Sequence, residues 1–365
     1  MEYVQERVTT LHDFTDPVPE APVDRAAVVV PMTEREHASL AADRVLTTLE
    51  TLAPGRVVVA LRADAGRVGA VHEWLSGYDL PCEVLWCDGP GVTDLLASAG
   101  LDGPRGKGRD VWLALGVAAA RESFVVVHDA DAKRYSERHV RRLLFPLAHG
   151  HEFSKGYYAR VEDDRLYGRL FRLFYAPLLR ALAARHDDPV VDYLDAFRYA
   201  LSGEFAASAD LARRLWLPRG WGLEVGTLGG AYREAGFART AQVDLGVHEH
   251  DHRAVAGPSG LGDMSEQVGA ALFEALADAG VHPDFDALRA AYREAADGLV
   301  DQYATDAAFN GLVYDPREER EQVAAYADAV RPPSEDRRLP PWEEAPLDPA
   351  AVREVTRTDL AEAGG

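Results

Sequence analysis

Short unbroken apolar runs alternate with helically spaced segments along the first third of the chain. Residues 26–31, 57–61, 82–87 and 124–128 are such runs, most of them Val-rich, and they predict strands buried on both faces. Between the first two, apolar residues at helical spacing (Leu40, Ala41, Val45, Leu46, Leu49) predict a helix over 34–52. Residues 66–77 and 106–121 read as further helices. Strands alternating with helices predict an α/β, doubly wound sheet with right-handed crossovers.

Beyond residue 131 the rhythm changes. The pattern predicts a helix over 136–146, a strand over 151–160, and a strongly apolar helix over 169–185 kinked at Pro177. Residues 188–199 are polar-aromatic with no clear period. Helices follow over 206–215 and 223–235, then a strand over 241–248 and amphipathic helices through 264–330. The ends read differently. Residues 1–25 look like an irregular leader, and from 331 on Pro332, Pro333, Pro340, Pro341, Pro346 and Pro349 among many acids suggest an extended tail.

Charge narrows the function. The chain has 39 basic residues against 60 acidic ones, a net charge of -21. That disfavours nucleic acid or an anionic membrane as partner, since both need a basic footprint. The three lysines, Lys107, Lys133 and Lys155, all lie near the end of the fourth predicted strand. Scarce Lys and abundant Asp, Ala and Arg suggest a salt-adapted, haloarchaeal protein. Cys82 and Cys87 make neither a disulfide framework nor a zinc site, the first residues lack a signal peptide's apolar core, and no uninterrupted apolar stretch is long enough to span a membrane. A cytoplasmic setting is the simplest expectation.

Candidate chemistry gathers around Asp129-Ala130-Asp131, at the C-terminal end of that fourth strand, where open α/β sheets bind ligands. Two carboxylates one residue apart suit Mg²⁺ or Mn²⁺ on a diphosphate, although a solvated strand end would look the same. Gly106-Lys107-Gly108 opens the preceding helix and can meet an anion with backbone N–H groups and an ammonium; it is not a Walker A loop. His248, His250 and His252 alternate along one strand face and could supply a metal ligand. Glu204 and Glu224 sit among glycines that permit close approach to a ligand. Lys155, Arg160 and Arg169 form a local basic group able to clamp a phosphate or carboxylate, against the plain alternative of surface charge.

The order of these segments carries more than any one of them. Gly-Lys-Gly, strand, Asp129-Ala-Asp131, Lys155-Gly-Tyr-Tyr-Ala-Arg160, Gly168-Arg169, Gly203-Glu204-Phe-Ala-Ala-Ser208, Gly220-Trp-Gly-Leu-Glu224-Val-Gly226 and Ala241–Val247 with His250 follow in turn. The series resembles the glucosyl-3-phosphoglycerate synthase family of retaining glycosyltransferases, from about residue 26 to 275 and most closely over 199–268. The resemblance implies a GT-A (nucleotide-diphospho-sugar transferase) fold, a Rossmann-like, mostly parallel sheet flanked by helices. Residues 26–135 would be the nucleotide-sugar half, 136–263 the acceptor half, 264–330 a helical extension and 331–365 the acidic tail.

By the same resemblance Asp129, Asp131 and His250 would hold Mg²⁺ or Mn²⁺. Gly106 and Lys107, with Glu34 and Asp64, would meet the donor nucleotide. Glu224 would act at the sugar, with Asp131 beside it. Arg169, after Gly168, would lie in the acceptor loop; from the residues themselves, Lys155, Arg172 and Glu204 are further candidates to serve the substrates. Three departures stand out, the first being Arg35 within the usual acidic cluster of Thr33-Glu34-Arg35-Glu36. Leu170-Phe171-Arg172 replaces the family's Val-Thr-Glu in the acceptor loop, and Leu61-Arg62-Ala63-Asp64 replaces Asp-Ser-Gly-Ser in the nucleotide region. They leave open glucose or mannose as the sugar, UDP-glucose or a GDP-sugar as donor, and 3-phosphoglycerate or another small anion such as glycerate as acceptor. A lipid-phosphate acceptor, a metal-dependent phosphohydrolase built on the aspartates with His248, His250 and His252, and a non-catalytic nucleotide-sugar sensor are the alternatives. A homodimer is expected from the family and from the apolar faces of 264–330.

Overall fold

A computed structural model of the chain describes residues 5–247, 249, 258–334 and 336–364. The strands are β1 (Thr9–Leu11), β2 (Ala26–Thr33), β3 (Arg56–Arg62), β4 (Cys82–Trp86), β5 (Phe124–Val127), β6 (Phe153–Ala159), β7 (Val161–Glu162), β8 (Arg165–Leu166), β9 (Phe205–Ser208) and β10 (Thr240–Val247). Eight of them form one sheet in the order β1-β10-β6-β9-β5-β2-β3-β4, and only β9 runs antiparallel to its neighbours. β7 and β8 make a separate hairpin.

The helices are α1 (Leu40–Leu52), α2 (Ala65–Leu75), α3 (Pro90–Ser98), α4 (Lys107–Ala119), α5 (Glu137–Ala148), α6 (Ala176–Ala183), α7 (Pro189–Asp195), α8 (Ala209–Arg214), α9 (Leu223–Glu234), α10 (Pro258–Asp278), α11 (Phe285–Asn310), α12 (Pro316–Tyr326) and α13 (Pro349–Ala363). Among the described residues no helix is long and apolar enough to cross a membrane.

The unbroken valine runs have a direct cause. Successive side chains of a strand point to opposite faces. Val28 and Val30 of β2 join one core with Leu46 and Leu49 of α1, while Ala27 and Val29 join the other with Val111 and Trp112 of α4. Helices cover both faces, so no position along β2 can be polar at low cost.

Besides helix α3, which the sequence pattern does not predict, four segments depart from that pattern. The helix expected from 34 begins at Leu40, because Thr33 and Glu36 close a capping box around a single 3-10 turn, Ala38 takes a left-handed φ of 53°, and Ser39 caps α1. The start of the helix expected over 206–215 is instead strand β9, which fills the slot between β5 and β6 and satisfies their facing backbone groups; Ser208 then caps α8. The apolar stretch from 169 opens as a π-helical turn, Phe171–Tyr175, which places Pro177 in the first turn of α6 rather than at a mid-helix kink. Residues 9–11 of the leader add an edge strand beside β10.

The proline-rich end is also built in. Leu339 pairs with Leu217, and Trp342 stacks on Trp112 with ring centres 4.3 Å apart. Each indole N–H donates to a backbone carbonyl of the other segment at 2.7 Å. Helix α13 then packs over α2, α3 and β4. The buried Trp342 decides where the proline-rich segment lies.

Candidate active site

Strand β2 leads to β3 on one side, whereas β5 returns on its other side. Crevices form at such a switch point, outside the carboxyl ends of the strands. Asp129 and Asp131 leave β5 at this edge, and the Thr33–Glu36 turn leaves β2.

Lys107 reaches the crevice because helix α4 starts unusually close to the segment before α9. A Cβ on Gly108 would lie 1.9 Å from the Pro218 carbonyl, so only glycine permits the approach. The Arg109 N–H donates to the Arg219 carbonyl at 2.9 Å and fixes it. As a result the Lys107 ammonium stands 2.6 Å from Asp129 Oδ1 and 3.2 Å from Glu224 Oε1. Three distant stretches of sequence meet at one cation.

A second close approach sets the floor. A Cβ on Gly203 would lie 2.3 Å from Asp129 Oδ2, so the turn before β9 lies directly against that carboxylate. Lys155 of β6 is buried and donates to the Ser202 carbonyl at 2.6 Å, and Ser202 Oγ donates to the Gly156 carbonyl at 2.5 Å. Glu204 follows, also buried.

Negative charge exceeds positive in this cluster. Burial, then the charge of Asp129, pushes Asp131 up to about 7, with Glu204 and Glu36 adding to it. Burial and Asp129 likewise push Glu204 up to about 7. Burial pulls Lys155 down to about 8, against the pull of Glu224 and Glu204. Burial also opposes the charge on Lys107, but Asp129 and Glu224 outweigh it and hold that ammonium above its ordinary value. Closely spaced carboxylates kept from water in this way suit a divalent cation with oxygen ligands.

The other anticipated residues fall into three places. Gly106 is the N-cap of α4. Glu34 accepts the Asp64 N–H at 2.9 Å, so the turns after β2 and β3 are joined at the expected nucleotide side. His250, with His248 and His252, lies outside the described residues; Glu249 is tied beside the aspartates, its carbonyl accepting the Lys133 N–H at 2.9 Å and its carboxylate 2.5 Å from Arg134.

The acceptor-loop arginines are not joined to the Lys107 cluster. Gly168 takes a φ of +77° and turns the chain into the π-helical segment. Arg169 bonds Glu319 at 2.8 Å and Glu318 at 2.9 Å, both on α12. Arg172 is buried, with Nε on the Tyr167 carbonyl at 3.0 Å, one terminal nitrogen on Glu319 at 3.1 Å and the other on the Leu166 carbonyl at 3.3 Å. All three of its nitrogens are engaged within the fold. Sequence reasoning gave no role to Tyr158 or Tyr199, whose rings are 5.1 Å apart beside Glu204 and Phe171. The Tyr157-Tyr158-Ala159-Arg160 run at and just past the end of β6 was the available signal.

A mostly parallel sheet with an acid pair and a lysine at its switch point defines a glycosyltransferase of GT-A fold. No protein-family model matches the chain. A glucosyl-3-phosphoglycerate synthase of Methanococcoides burtonii is 33% identical over 367 aligned residues, spanning 93% of this chain and 91% of the relative. That of Persephonella marina is 37% identical over 293, spanning 76% of this chain and 72% of the relative. A crystal structure of the Mycobacterium tuberculosis synthase with Mn²⁺, uridine diphosphate and phosphoglyceric acid matches with a TM-score of 0.57 at 25% identity, over 76% of this chain and 88% of that one. Other structures of that enzyme hold Mg²⁺ with uridine diphosphate, or Mn²⁺ with UDP-glucose and glycerol 3-phosphate. The chain belongs to the glucosyl-3-phosphoglycerate synthase family.

Proposed function

We propose that this enzyme transfers glucose, with retention, from UDP-glucose to 3-phosphoglycerate. The observation that carries the reading is the convergence of Lys107, Asp129 and Glu224 at the switch point. The complexes of the mycobacterial relative with UDP and UDP-glucose favour uridine over guanosine as the donor base.

Asp129 and Asp131, with His250, would hold Mg²⁺ or Mn²⁺; the fit rests on hard oxygen donors, and on burial and the charge of Asp129, which push Asp131 up to about 7 when no cation balances them. Bound there, the cation would neutralise charge on the donor diphosphate. Lys107 is placed to meet the same diphosphate with its ammonium, and Gly106 with the start of α4. Glu34 and Asp64 support the nucleotide side. Glu224 orients the sugar, and Glu204 and Lys155 hold the turn beneath Asp129. Gly168, Arg169 and Arg172 shape the acceptor loop. The acceptor hydroxyl oxygen bonds to the anomeric carbon as the bond from that carbon to the diphosphate oxygen breaks, and its proton passes to the leaving phosphate. The protein's share is positioning and charge stabilisation. A glucosylated glyceric acid as product also suits an osmolyte role for so acidic a chain.

The test is nucleotide release with Mg²⁺ or Mn²⁺, crossing UDP-glucose and GDP-glucose with 3-phosphoglycerate, D-glycerate and no acceptor. Release that requires both UDP-glucose and 3-phosphoglycerate supports the reading. Release with D-glycerate alone would assign Phe171 to a changed acceptor preference, and no acceptor-dependent release would overturn the proposal.

A further inference from the structure

Arg160 follows β6. Because β5 and β6 both run antiparallel to β9, it emerges at the same sheet edge as Asp129. Its guanidinium is half-buried and forms no ion pair among the described residues. One terminal nitrogen donates to the Tyr199 hydroxyl at 3.3 Å, and Nε is buried without a partner. Arg169 and Arg172, by contrast, share Glu319. In a chain with 60 acidic residues against 39 basic ones, a partly desolvated cation with no carboxylate in ion-pair contact among the described residues is conspicuous, since withdrawing charge from water is costly unless something compensates. Glu162 reaches it only as a weaker, more distant charge.

The surroundings hold the group in place. The guanidinium carbon lies 5.9 Å from the centre of the Tyr167 ring, and the Tyr167 N–H donates to the Arg160 carbonyl at 3.0 Å. Tyr199 packs against Phe171 with ring centres 5.1 Å apart, and a Cβ on Gly168 would lie 3.6 Å from the Tyr199 hydroxyl. The loop that begins at Gly168 therefore closes on Arg160 through Tyr199. On the other side, the Tyr158 phenol is influenced by Glu204, Asp129 and Arg160 together, so Arg160 borders the acidic cluster.

We propose that Arg160 is the anion-binding residue of the acceptor site, its guanidinium receiving carboxylate or phosphate oxygens while Tyr199 and Tyr167 fix its plane. The proposal rests on the acceptor side of the function above. It moves anion recognition from Arg169 and Arg172, which are engaged by Glu318 and Glu319, to a group whose donors are still available.

The experiment measures equilibrium binding of 3-phosphoglycerate, D-glycerate and glycerol 3-phosphate to the full chain in the presence of Mn²⁺ and UDP. Wild type is compared with Arg160→Gln, Arg160→Lys and Tyr199→Phe. Arg160→Gln should weaken anion binding by about tenfold or more, Arg160→Lys by less, and Tyr199→Phe by a few-fold, with UDP affinity unchanged. D-Glycerate and glycerol 3-phosphate show which of the two anionic groups Arg160 meets. Anion affinity within about twofold of wild type in Arg160→Gln, equal loss of UDP binding in both Arg160 variants, or no anion binding by wild type would each overturn the proposal. Arg160-dependent anion binding without glucose transfer would overturn the functional reading and leave this one standing.

Discussion

The Lys107 ammonium bridges Asp129 at 2.6 Å and Glu224 at 3.2 Å, joining the start of α4 to the end of β5 and the first turn of α9. In the proposed reaction the donor diphosphate arrives beside this ammonium, and the Lys107–Asp129 pair is exchanged for phosphate contacts. Lys107→Met should lower kcat/KM for UDP-glucose by about 10²–10³-fold, the usual cost of losing one well-placed charge-stabilising group. Steady-state kinetics at fixed metal and acceptor checks it; a change of less than about fivefold would remove Lys107 from the donor site.

Asp131 and Asp129 should be separable from Glu224 by their dependence on metal. Asp131→Asn should abolish Mn²⁺-dependent UDP binding in calorimetry, whereas Glu224→Gln should retain it and lose turnover. Chelation of wild type should match Asp131→Asn, and added Mn²⁺ should restore only wild type. UDP binding by Asp131→Asn that still depends on Mn²⁺ would place the metal elsewhere.

Arg172 and Glu319 make a buried pair, each nearly excluded from solvent. Removing one partner strands the other charge, so Glu319→Ala should cost about 3–5 kcal/mol of stability. The double change Arg172→Met with Glu319→Leu should recover much of that loss. Urea unfolding midpoints decide it; a single variant as stable as wild type would mean that the pair adds nothing to the fold.

Lys155 predicts a pH dependence with a definite sign. Burial lowers it from the usual 10.5 to about 8. Between these values the unfolded chain holds the proton and the folded one does not, so stability rises with pH across the window. The full effect is on the order of 3 kcal/mol at about 1.4 kcal/mol per pKa unit. The buried thiols and tyrosines titrate above their ordinary values and oppose this rise from about pH 9 upward. Comparing wild type with Lys155→Met isolates the lysine: the variant should be more stable below pH 8, and the gap should shrink toward pH 10.

Trp342 provides a test of the C-terminal segment. Trp342→Ala leaves the Trp112 ring and the Trp112 carbonyl without their partners and should cost about 3–5 kcal/mol. Proteolysis should then cut within 336–348, where wild type should resist cleavage.

The four core strands β2 to β5 and the helices between 40 and 119 were legible along the chain, apart from α3, because burial on both sheet faces demands unbroken apolar runs whatever the rest of the chain does. Asp129, Lys107, Glu204 and Glu224 were legible as candidates because charge beside glycine at element ends is a local signal. Their meeting was not. It depends on Gly108 fitting against Pro218 and Gly203 against Asp129, which are contacts between segments far apart in sequence. The same is true of β9, whose Phe-Ala-Ala-Ser run carries little strand preference and becomes a strand only because β5 and β6 present unpaired backbone on either side. Trp342 in its slot, Arg172 spent on Glu319 and Arg160 left without an ion pair among the described residues are likewise decided by packing. Local pattern determines which residues must be buried or turned; only the folded chain determines which charges find partners, because pairing is a property of distance in space.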